Sequence, residues 1–582
     1  MKLSKLNELP TERTMIDLFK GYNHNLRIGG GEFYDMTNLS ADNYPVLSTR
    51  QKRGVYASPT EPNGLVAKDA LCYVDRGDFV INEYHVPMEL SDEPKTLISM
   101  GAYVIILPDK KYINTADLED YGQIDATVET TSTVNFDLCK FERDTGNIYI
   151  CRHEGTSAPK YPSNMDLWLD CSREPPVLLQ YFENDEKWTT IDKTYIKISV
   201  PDTETFKAFS EGDGITISGV NGASAQDING EKVIVAKAND YIIVEGIFSA
   251  YRDQSEPITI KREMPIMDYV IESGNRLWGC KYGISNEGQM VNEIYASKLG
   301  DFKNWNCFDG ISTDSYVASV GTDGQFTGAI NHLGYPIFFK ENCMHKVYGN
   351  YPAQYQVQTT ICRGVQKGCE KSLAIVNEVL YYKARSGVCA FDGSLPTEIS
   401  AAFGDVNYHN AVAGSIGNKY YISMSDDSEK WHMFVYDSLK GMWHREDDTQ
   451  ATCFCNCRGD LYYIDYADKQ IKTVRGTGVT ETKPIKWEAV TGILGTDSPD
   501  KKYISRIDVR MMLSIGARAT FFAEYDSSGE WEHLCSADGI NLKTLAVPVK
   551  TKRHDHMRLK IIGTGEAKIF SICKTVEQGS DR

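Results

Sequence analysis

One short sequence unit recurs five times between residues 270 and 480, and it constrains the fold more than any other feature of the chain. Each copy starts at a Gly or Asn turn, continues into an apolar, aromatic-rich strand, and is followed by a short turn and a second strand. The copies start near residues 275, 334, 377, 418 and 459, at separations of 59, 43, 41 and 41 residues. A period of about 40–45 residues with four short strands per unit is typical of a β-propeller, whose stacked sheets bury each other's faces. The sequence therefore predicts an all-β chain built on a propeller.

Two further units of the same kind precede this run, at residues 70–86 and 101–115. They bring the expected number of blades to about seven. The same strands also allow a β-sandwich meander, which is the alternative architecture.

The rest of the chain divides into segments of different character. Residues 120–262 contain Asn229-Gly230 between apolar runs, a strong hairpin signal, and predict an inserted β-barrel-like domain. Residues 479–582 contain six separated strand candidates, which is typical of a β-sandwich, and a short helical piece is expected only within residues 11–19. The predicted domains are an extended N-terminal arm (1–60), the first propeller blades (61–119), the inserted domain (120–262), the remaining blades (263–478) and the C-terminal β-sandwich (479–582).

Net charge and cysteine usage narrow the function classes. The formal net charge of −18 argues against sequence-specific nucleic-acid binding, because such binding needs Lys and Arg at the phosphates. It does not argue against weak contact with DNA that passes through a channel.

The 15 cysteines are odd in number and irregularly spaced, which indicates free thiols in a reducing compartment. Because the N-terminus lacks an apolar signal-peptide core and no apolar run approaches the ~20 residues of a membrane span, we expect a soluble protein made in the cytoplasm.

Three groups of residues resemble metal ligands at first sight. They are the cysteine triplet Cys453, Cys455 and Cys457, the loop pair Cys362 and Cys369, and the histidine pair His554 and His556. In a strand the triplet shares one face, whereas zinc prefers cysteine pairs on turns, and no second pair follows the loop pair. The histidine pair lies between Arg553 and Arg558 at a strand start. We therefore predict buried cysteines, solvated histidines, no metal and no cofactor, with a metal site as the alternative.

Known catalytic motifs are missing from the sequence. It contains no Gly-x-Ser-x-Gly elbow, no His-Glu-x-x-His and no phosphate-binding glycine loop, and the run Gly29, Gly30, Gly31 predicts only a flexible turn. Residues 297–305 are similar to the Ser-x-Asp-x-Gly-x-x-x-Trp box of sialidases, but the Asp is displaced and such a box is a structural turn. We expect that the chain is not an enzyme. A glycoside hydrolase is the weakest alternative, because it would need two carboxylates that converge in space.

Three stretches of the chain form a recognisable set. They are Gly31-Glu32-Phe33-Tyr34-Asp35-Met36-Thr37-Asn38-Leu39-Ser40 with Arg50-Gln51-Lys52-Arg53-Gly54, the blade segment 294–305, and Phe434-Val435-Tyr436-Asp437 followed by Gly441-Met442-Trp443-His444. This pattern resembles the tail nozzle (tail tubular B-type) proteins of short-tailed phages and related phage tail propellers.

The resemblance implies a virion structural protein that forms a homo-oligomeric ring, with a hexamer favoured. Such a ring sits beneath a tail adaptor and encloses the channel through which double-stranded DNA leaves the capsid, without sequence-specific binding. It implies contacts with the adaptor and with other tail or fibre proteins, and a location in the virion tail after assembly in the host cytoplasm. The alternative is a propeller-based tail protein that binds a glycan or protein on the host surface.

The N-terminal arm supplies the candidate residues for contacts between copies. An isolated arm has apolar side chains to bury but little core of its own, so we expect it to lie on a neighbouring chain. The alternative is that it packs on its own propeller as an outer strand. The candidate interface residues are Phe33, Met36, Leu39, Leu47, Arg50 and Arg53.

Overall fold

The computed structural model describes residues 11–222, 227–285, 288–476, 478–495, 502–549 and 553–578. These residues form β-strands joined by turns, and no α-helix occurs among them. No helix in the described part of the chain is long and apolar enough to cross a membrane. The chain forms two compact units, one of residues 1–95, 337–344 and 359–582 and one of residues 96–336 and 345–358. Short 3-10 turns in the described residues include Glu183–Asp185, Pro352–Gln354, Glu370–Ser372 and Ala401–Phe403.

Four small antiparallel sheets in the first unit have the form of propeller blades. Three of them are meanders of strands that follow one another along the chain, and the fourth also takes in one strand from the N-terminal region. The first is Pro62–Ala67, Leu71–Asp75, Asp78–Ile81 and Tyr84–Pro87. The second is Ala374–Val376, Val379–Ala384, Gly387–Phe391 and Thr397–Glu398, and the third is Tyr408–Ile416, Lys419–Asp426, Trp431–Asp437 and Met442–Arg445. The fourth contains Ala451–Cys457, Asp460–Asp465, Ile471–Thr473, Gly54–Ala57 and Val479–Thr480.

Neighbouring blades bury each other's apolar faces. Tyr421 and Met433 of the third sheet share a buried cluster with Leu461 and Tyr463 of the fourth. Leu71 of the first sheet packs in another cluster with further residues of the fourth. This face-to-face stacking is what makes four-stranded sheets stable in a propeller, since one such sheet alone would leave both faces in water.

Strand Gly54–Ala57 joins the N-terminal region to the last blade. Gly54 pairs with Thr473 and Val55 with Lys472, so an early strand completes a sheet whose other strands lie more than 390 residues later. Backbone groups at the edge of the last blade thereby gain hydrogen-bond partners from the opposite end of the chain.

The second unit contains two more blades and the insert. The blades are Thr96–Met100, Tyr103–Leu107, Lys111–Asn114 and Asp117–Gln123, and Tyr269–Glu272, Leu277–Ile284, Met290–Ala296 and Tyr316–Ser319. Ile98 and Ile105 of the former pack against Val270, Leu277 and Tyr295 of the latter. Four further strands form another small sheet: Gly328–His332 belongs to the second unit, whereas Tyr335–Lys340, Cys343–Tyr348 and Gln356–Ile361 are divided between the two units.

The insert is a curved nine-stranded sheet around one apolar core, which includes Phe136, Phe206 and Ile260. Its strands are Ala126–Glu129, Val134–Glu142, Asn147–Ile150, Tyr195–Ser199, Gly214–Ser218, Gly230–Lys237, Tyr241–Glu245, Tyr251–Gln254 and Thr259–Arg262. A small sheet of His153–Gly155, Leu167–Asp170, Val177–Phe182 and Lys187–Thr190 packs on it through Leu167 and Leu178. The predicted all-β propeller with a barrel-like insert is confirmed, and the number of blades stays a prediction.

The N-terminal strands and the C-terminal strands form two shared sheets in the first unit. One contains Thr11–Ile16, Leu39–Ser40, Leu47–Thr49, Lys502–Leu513, Lys543–Val547 and Ala567–Gln578. The other contains Gly21–Tyr22, Glu32–Thr37, Lys486–Thr491, Arg518–Tyr525, Glu532–Asp538 and Met557–Thr564. The sandwich predicted from residues 479–582 therefore includes residues from the N-terminal region, and the helix expected within 11–19 is instead a strand, with Thr11 opposite Glu577.

The six candidate interface residues are buried inside their own chain, with exposed fractions between 0% and 8%. Phe33 and Met36 lie on strand Glu32–Thr37, which pairs with Lys486–Thr491, and Leu47 pairs with Ile569. The prediction that Phe33, Met36, Leu39, Leu47, Arg50 and Arg53 contact a neighbouring chain is therefore corrected. The physical reason is that the C-terminal strands already provide the apolar partner that the isolated arm lacked.

Ion pairs attach the N-terminal segment to residues at the ends of the third and fourth sheets of the first unit. Buried Arg53 lies 2.7 Å from Glu446 and 2.8 Å from Asp447. Arg50 pairs with Glu481 at 3.0 Å, and Arg445 donates to Asp35 at 2.9 Å. Burial alone would raise the pKa of Asp447, but the two arginines hold that pKa below its usual value.

Candidate functional site

An open cleft of about 470 Å³ lies in the second unit, between the insert and the blade of residues 269–319. Three glutamates line it, so it is called the carboxylate cleft here. Glu231 comes from the insert strand Gly230–Lys237, Glu263 follows the last insert strand, and Glu293 lies on the blade strand Met290–Ala296. A volume in this range is typical of ligand-binding clefts.

The floor of the carboxylate cleft fixes the orientation of Glu293. Tyr295 lies two residues further along the same strand and therefore points to the same face. Its hydroxyl donates to Glu293 Oε2 at 2.6 Å, and the Ser319 hydroxyl donates to Oε1 at 3.4 Å. On the insert side, Lys261 Nζ lies 3.6 Å from Glu263 Oε1. The cleft thus presents oriented acceptors together with one cation, an arrangement that can bind hydroxyl groups.

The loop between strands Met290–Ala296 and Tyr316–Ser319 forms one wall of the cleft and is held from inside by Arg276. This side chain is almost fully buried. Its guanidinium donates to the carbonyl oxygens of Ser297 at 2.7 Å and Ser312 at 2.9 Å, and also to that of Asp314. Burial lowers the pKa of Arg276 from its ordinary value. With a further contact to the Thr313 carbonyl at 3.4 Å, four carbonyl contacts from one planar cation fix the loop.

A buried polar cluster attaches this loop to the insert. Arg262 pairs with Asp213, and both side chains are buried. Asn304 in the loop donates to Asp213 Oδ1 at 3.0 Å and accepts from the Gly214 amide at 2.9 Å. Because these groups are buried and bonded to one another, the two walls of the carboxylate cleft keep a fixed spacing.

A second, larger cleft of about 800 Å³ adjoins the first on the outer surface of the insert. It is called the outer cleft here, and it shares Glu231, Asn306 and Phe308 with the carboxylate cleft. The Phe308 ring lies at this shared boundary and is 50% exposed. The charged residues that line the outer cleft in addition are Arg143, Lys193, Lys232, Glu245 and Asp309.

The cysteine triplet packs among apolar residues of the first unit. Cys453, Cys455 and Cys457 lie in one cluster with Leu71 and Tyr462. Burial raises the pKa of Cys455 to about 12, so its thiol stays protonated at neutral pH. No group of three or more His, Cys, Asp or Glu side chains in the described ranges could hold a metal ion.

The loop pair and the histidine pair are likewise placed by local packing. The Cys369 thiol is buried and accepts from the Ala411 amide at 3.4 Å. His554 is buried with its ring 4.9 Å from that of Tyr525, whereas the expectation was a solvated side chain. His556 contacts Asp555 at 2.9 Å.

The sialidase-like stretch 297–305 forms a turn at the wall of the carboxylate cleft. The Asp301 side chain accepts from the Lys303 amide at 2.9 Å, and the Trp305 indole donates to the Phe302 carbonyl at 3.0 Å. Both bonds are local, as expected for a structural turn. Gly31 of the predicted flexible turn has a φ of +89° and packs against Leu18, so it has a defined conformation.

The residues of the two clefts were not candidates from the sequence. Glu231 and Glu293 lie on two different strands, Glu263 follows a third, and the three have no shared spacing that would single them out among 80 acidic residues. Phe308 lies in a loop of the kind that sequence patterns describe least well. Only the folding of the insert onto the blade brings these side chains together.

Comparisons with known proteins give matches to solved structures alone. No family model and no curated protein matches the chain. One similar structure is an exo-β-1,3-galactanase from Phanerochaete chrysosporium, with 9% identity over 52% of this chain and 94% of that chain and a TM-score of 0.20. Another is a glycoside hydrolase family 43 arabinoxylan arabinofuranohydrolase from Bacillus subtilis, with 8% identity, coverage of 53% and 95%, and a TM-score of 0.19. A Trypanosoma rangeli sialidase covers 98% of this chain and 96% of its own, with 8% identity and a TM-score of 0.17.

These matches contradict the expectation that the chain is not an enzyme, since the neighbours named above are glycoside-cleaving proteins. The expectation was drawn from the lack of known catalytic motifs, and it is wrong. Missing motifs do not exclude a glycoside hydrolase, because its carboxylates converge in space without a shared sequence motif. At such low identities and TM-scores, however, the likeness carries no argument for a particular activity or substrate in this chain.

Proposed function

We propose that the chain is a structural protein of a phage tail, which assembles as a homo-oligomeric ring around the DNA channel. The proposal starts from the N-terminal and blade patterns that resemble tail nozzle proteins. A feature of the second unit supports an assembly role: an exposed apolar hairpin tip. This hairpin is formed by strands Leu277–Ile284 and Met290–Ala296.

The hairpin tip carries two large apolar side chains on opposite strands. Ile284 and Met290 are register partners, with exposed fractions of 61% and 63%. Side chains that face each other across a sheet form one contiguous surface. Complete burial of each is worth roughly 1.5–3 kcal/mol. An apolar tip of this kind is a contact element for another protein surface, here a further copy of the chain.

The charge of the chain fits a DNA channel. A net charge of −18 opposes tight binding to phosphates, so double-stranded DNA passes such a surface without being held. The tail adaptor and fibre proteins are the further partners in this proposal, and the virion tail is the location.

Native mass measurement of the full-length protein tests this proposal. We expect a homo-oligomer, and we expect the Ile284→Ser, Met290→Ser double variant to dissociate into smaller species because the apolar contact is lost. Tyr161→Ser is the matched control, since Tyr161 is 95% exposed in the same unit but is far from the hairpin in sequence. A chain that is monomeric at all concentrations, or a double variant with unchanged mass, would contradict the proposal.

A second candidate function is the binding of a host-surface glycan, and the carboxylate cleft favours it. Oriented carboxylates, a lysine and an exposed aromatic ring are the groups that bind sugar hydroxyls and sugar faces.

Titration calorimetry with neutral oligosaccharides tests this second candidate. We expect Glu293→Gln to weaken binding at least about 10-fold, which corresponds to about 1.4 kcal/mol, because the neutral amide accepts hydrogen bonds less strongly than the carboxylate. Glu204→Gln, at an exposed position outside both clefts, is the control. Sugar release, measured in the same samples, reports any hydrolysis. Binding that is equal in Glu293→Gln and the native protein would exclude the cleft.

A further inference from the structure

We propose that the carboxylate cleft and the outer cleft form one groove that binds a single neutral oligosaccharide chain across Phe308. This inference rests on the second candidate function, and it names the class of ligand and the length of the groove that binds it. The first support is continuity, because the two clefts share Glu231, Asn306 and Phe308. A ligand longer than one cleft therefore passes the Phe308 ring.

The backbone that carries Phe308 is fixed although its ring is exposed. The amide of the neighbouring residue Cys307 donates to Ser315 Oγ at 3.3 Å, and the Cys307 carbonyl accepts from the Ser315 amide at 2.9 Å. On the other side, the Gly310 amide donates to the buried Asp314 carboxylate at 2.6 Å. A half-exposed aromatic ring on a fixed loop is preorganised, so binding costs little conformational entropy.

The charges along the groove identify the class of ligand. Carboxylates and cations are nearly balanced and are interspersed over both clefts. The cations are Arg143, Lys193, Lys232 and Lys261, and the carboxylates are Glu231, Glu245, Glu263, Glu293 and Asp309. A polyanion would meet five carboxylates and a polycation would meet four cations, so neither is favoured.

A neutral, polyhydroxylated chain satisfies both kinds of group at once. Hydroxyl groups donate to carboxylates and accept from lysine and arginine, whereas the apolar face of a pyranose ring stacks on an aromatic ring. Each cleft alone has a volume typical of a ligand site, so the full groove accommodates several sugar units. The groove is therefore assigned to a neutral oligosaccharide that occupies both clefts.

The test measures how affinity depends on chain length in the full-length protein. The probes are cello-, malto- and galacto-oligosaccharides of two to eight units, with heparin oligosaccharides of equal length as the polyanion. We expect the affinity for one neutral series to rise at least 10-fold with length and then to level off once both clefts are filled. Phe308→Ala should remove most of this gain, and Phe308→Trp should keep it because the stacking surface is retained.

Variants in the outer cleft separate this inference from the function on which it rests. Lys232→Gln should weaken binding of the longest oligosaccharide several-fold and leave the shortest unchanged. Tyr161→Ala, an exposed aromatic variant outside the groove, should bind like the native protein. Binding that is independent of length, of Phe308 and of Lys232 would overturn the groove but keep glycan binding as a function. The absence of binding to every neutral probe would overturn both, and preferential binding of heparin would overturn the neutral ligand class.

Discussion

Replacement of Arg53 by Met is expected to lower the free energy of unfolding of the first unit by about 3–5 kcal/mol. Arg53 is buried, and its guanidinium lies 2.7 Å from Glu446, 2.8 Å from Asp447 and 2.6 Å from the Thr449 hydroxyl. Its removal leaves the buried Glu446 carboxylate without this cation, and the desolvation cost of the charge is no longer offset. Urea denaturation followed by tryptophan fluorescence measures the loss.

The matched control is Arg518→Met, in an ion pair of the same unit. Arg518 lies 3.6 Å from Asp538, and both side chains are more than half exposed. Such a pair contributes at most about 1 kcal/mol, so the control should unfold near the native midpoint. A loss for Arg53→Met no larger than that of the control would show that the N-terminal segment is not held by this buried pair.

The concentration dependence of the same experiment distinguishes the two interpretations of the N-terminal region. If the segment lay on a neighbouring chain, the effect of Arg53→Met would change with protein concentration, because the lost contact would be intermolecular. In the structure, the contact lies within one chain, so the loss should be the same at every concentration.

The repeat predicted the blades well because its signal is local. The units that start near 377, 418 and 459 coincide with the strands Val379–Ala384, Lys419–Asp426 and Asp460–Asp465. Within these blades the first three strands form a meander, so they pair with their neighbours in sequence and leave a regular period. The Asn229-Gly230 signal in the insert lies at the start of strand Gly230–Lys237, which pairs with Gly214–Ser218 in an antiparallel arrangement, with Gly230 opposite Ile217.

The pairing of the chain ends could not be predicted from the sequence. From the sequence alone, Gly54–Ala57 is predicted to be part of a basic, extended stretch. Its partner Ile471–Thr473 is predicted to be the end of a repeat unit. Nothing in either stretch indicates the other, because strand register across hundreds of residues depends on tertiary packing. For the same reason, the apolar residues of the N-terminal arm were predicted to contact a neighbouring chain, whereas the C-terminal strands of the same chain cover them.

The candidate site was beyond prediction for a related reason. Glu293 and Tyr295 are two residues apart on one strand, so their contact follows from strand geometry once the strand is known. The position of Glu231 opposite them depends on how the insert folds back on the blade. The buried cluster of Asp213, Arg262 and Asn304 sets that arrangement, and its three members come from distant parts of the sequence.

Replacement of Gly31 by Ala is expected to destabilise the first unit by at least about 3 kcal/mol. Gly31 has a φ of +89°, and a Cβ atom there would lie 2.1 Å from the Leu18 carbonyl oxygen. The left-handed conformation alone costs an L-residue roughly 1–2 kcal/mol. The clash adds to this cost, because a backbone carbonyl cannot rotate away as a flexible side chain would. Any backbone shift that relieves the overlap would also strain the hydrogen bond of 2.7 Å from the Lys20 amide to the Gly31 carbonyl.

The neighbouring residue in the same glycine run is the control. A Cβ atom on Gly30 would have no atom within 4 Å, and its φ lies outside the left-handed region. Gly30→Ala should therefore leave the midpoint of urea denaturation unchanged or raise stability by about 0.4–1 kcal/mol through a smaller entropy of the unfolded chain. A flexible turn would tolerate both substitutions equally, so equal midpoints for the two variants would restore that interpretation. A large loss for Gly31→Ala alone would instead show that this turn is a fixed corner of the sheets shared by the two ends of the chain.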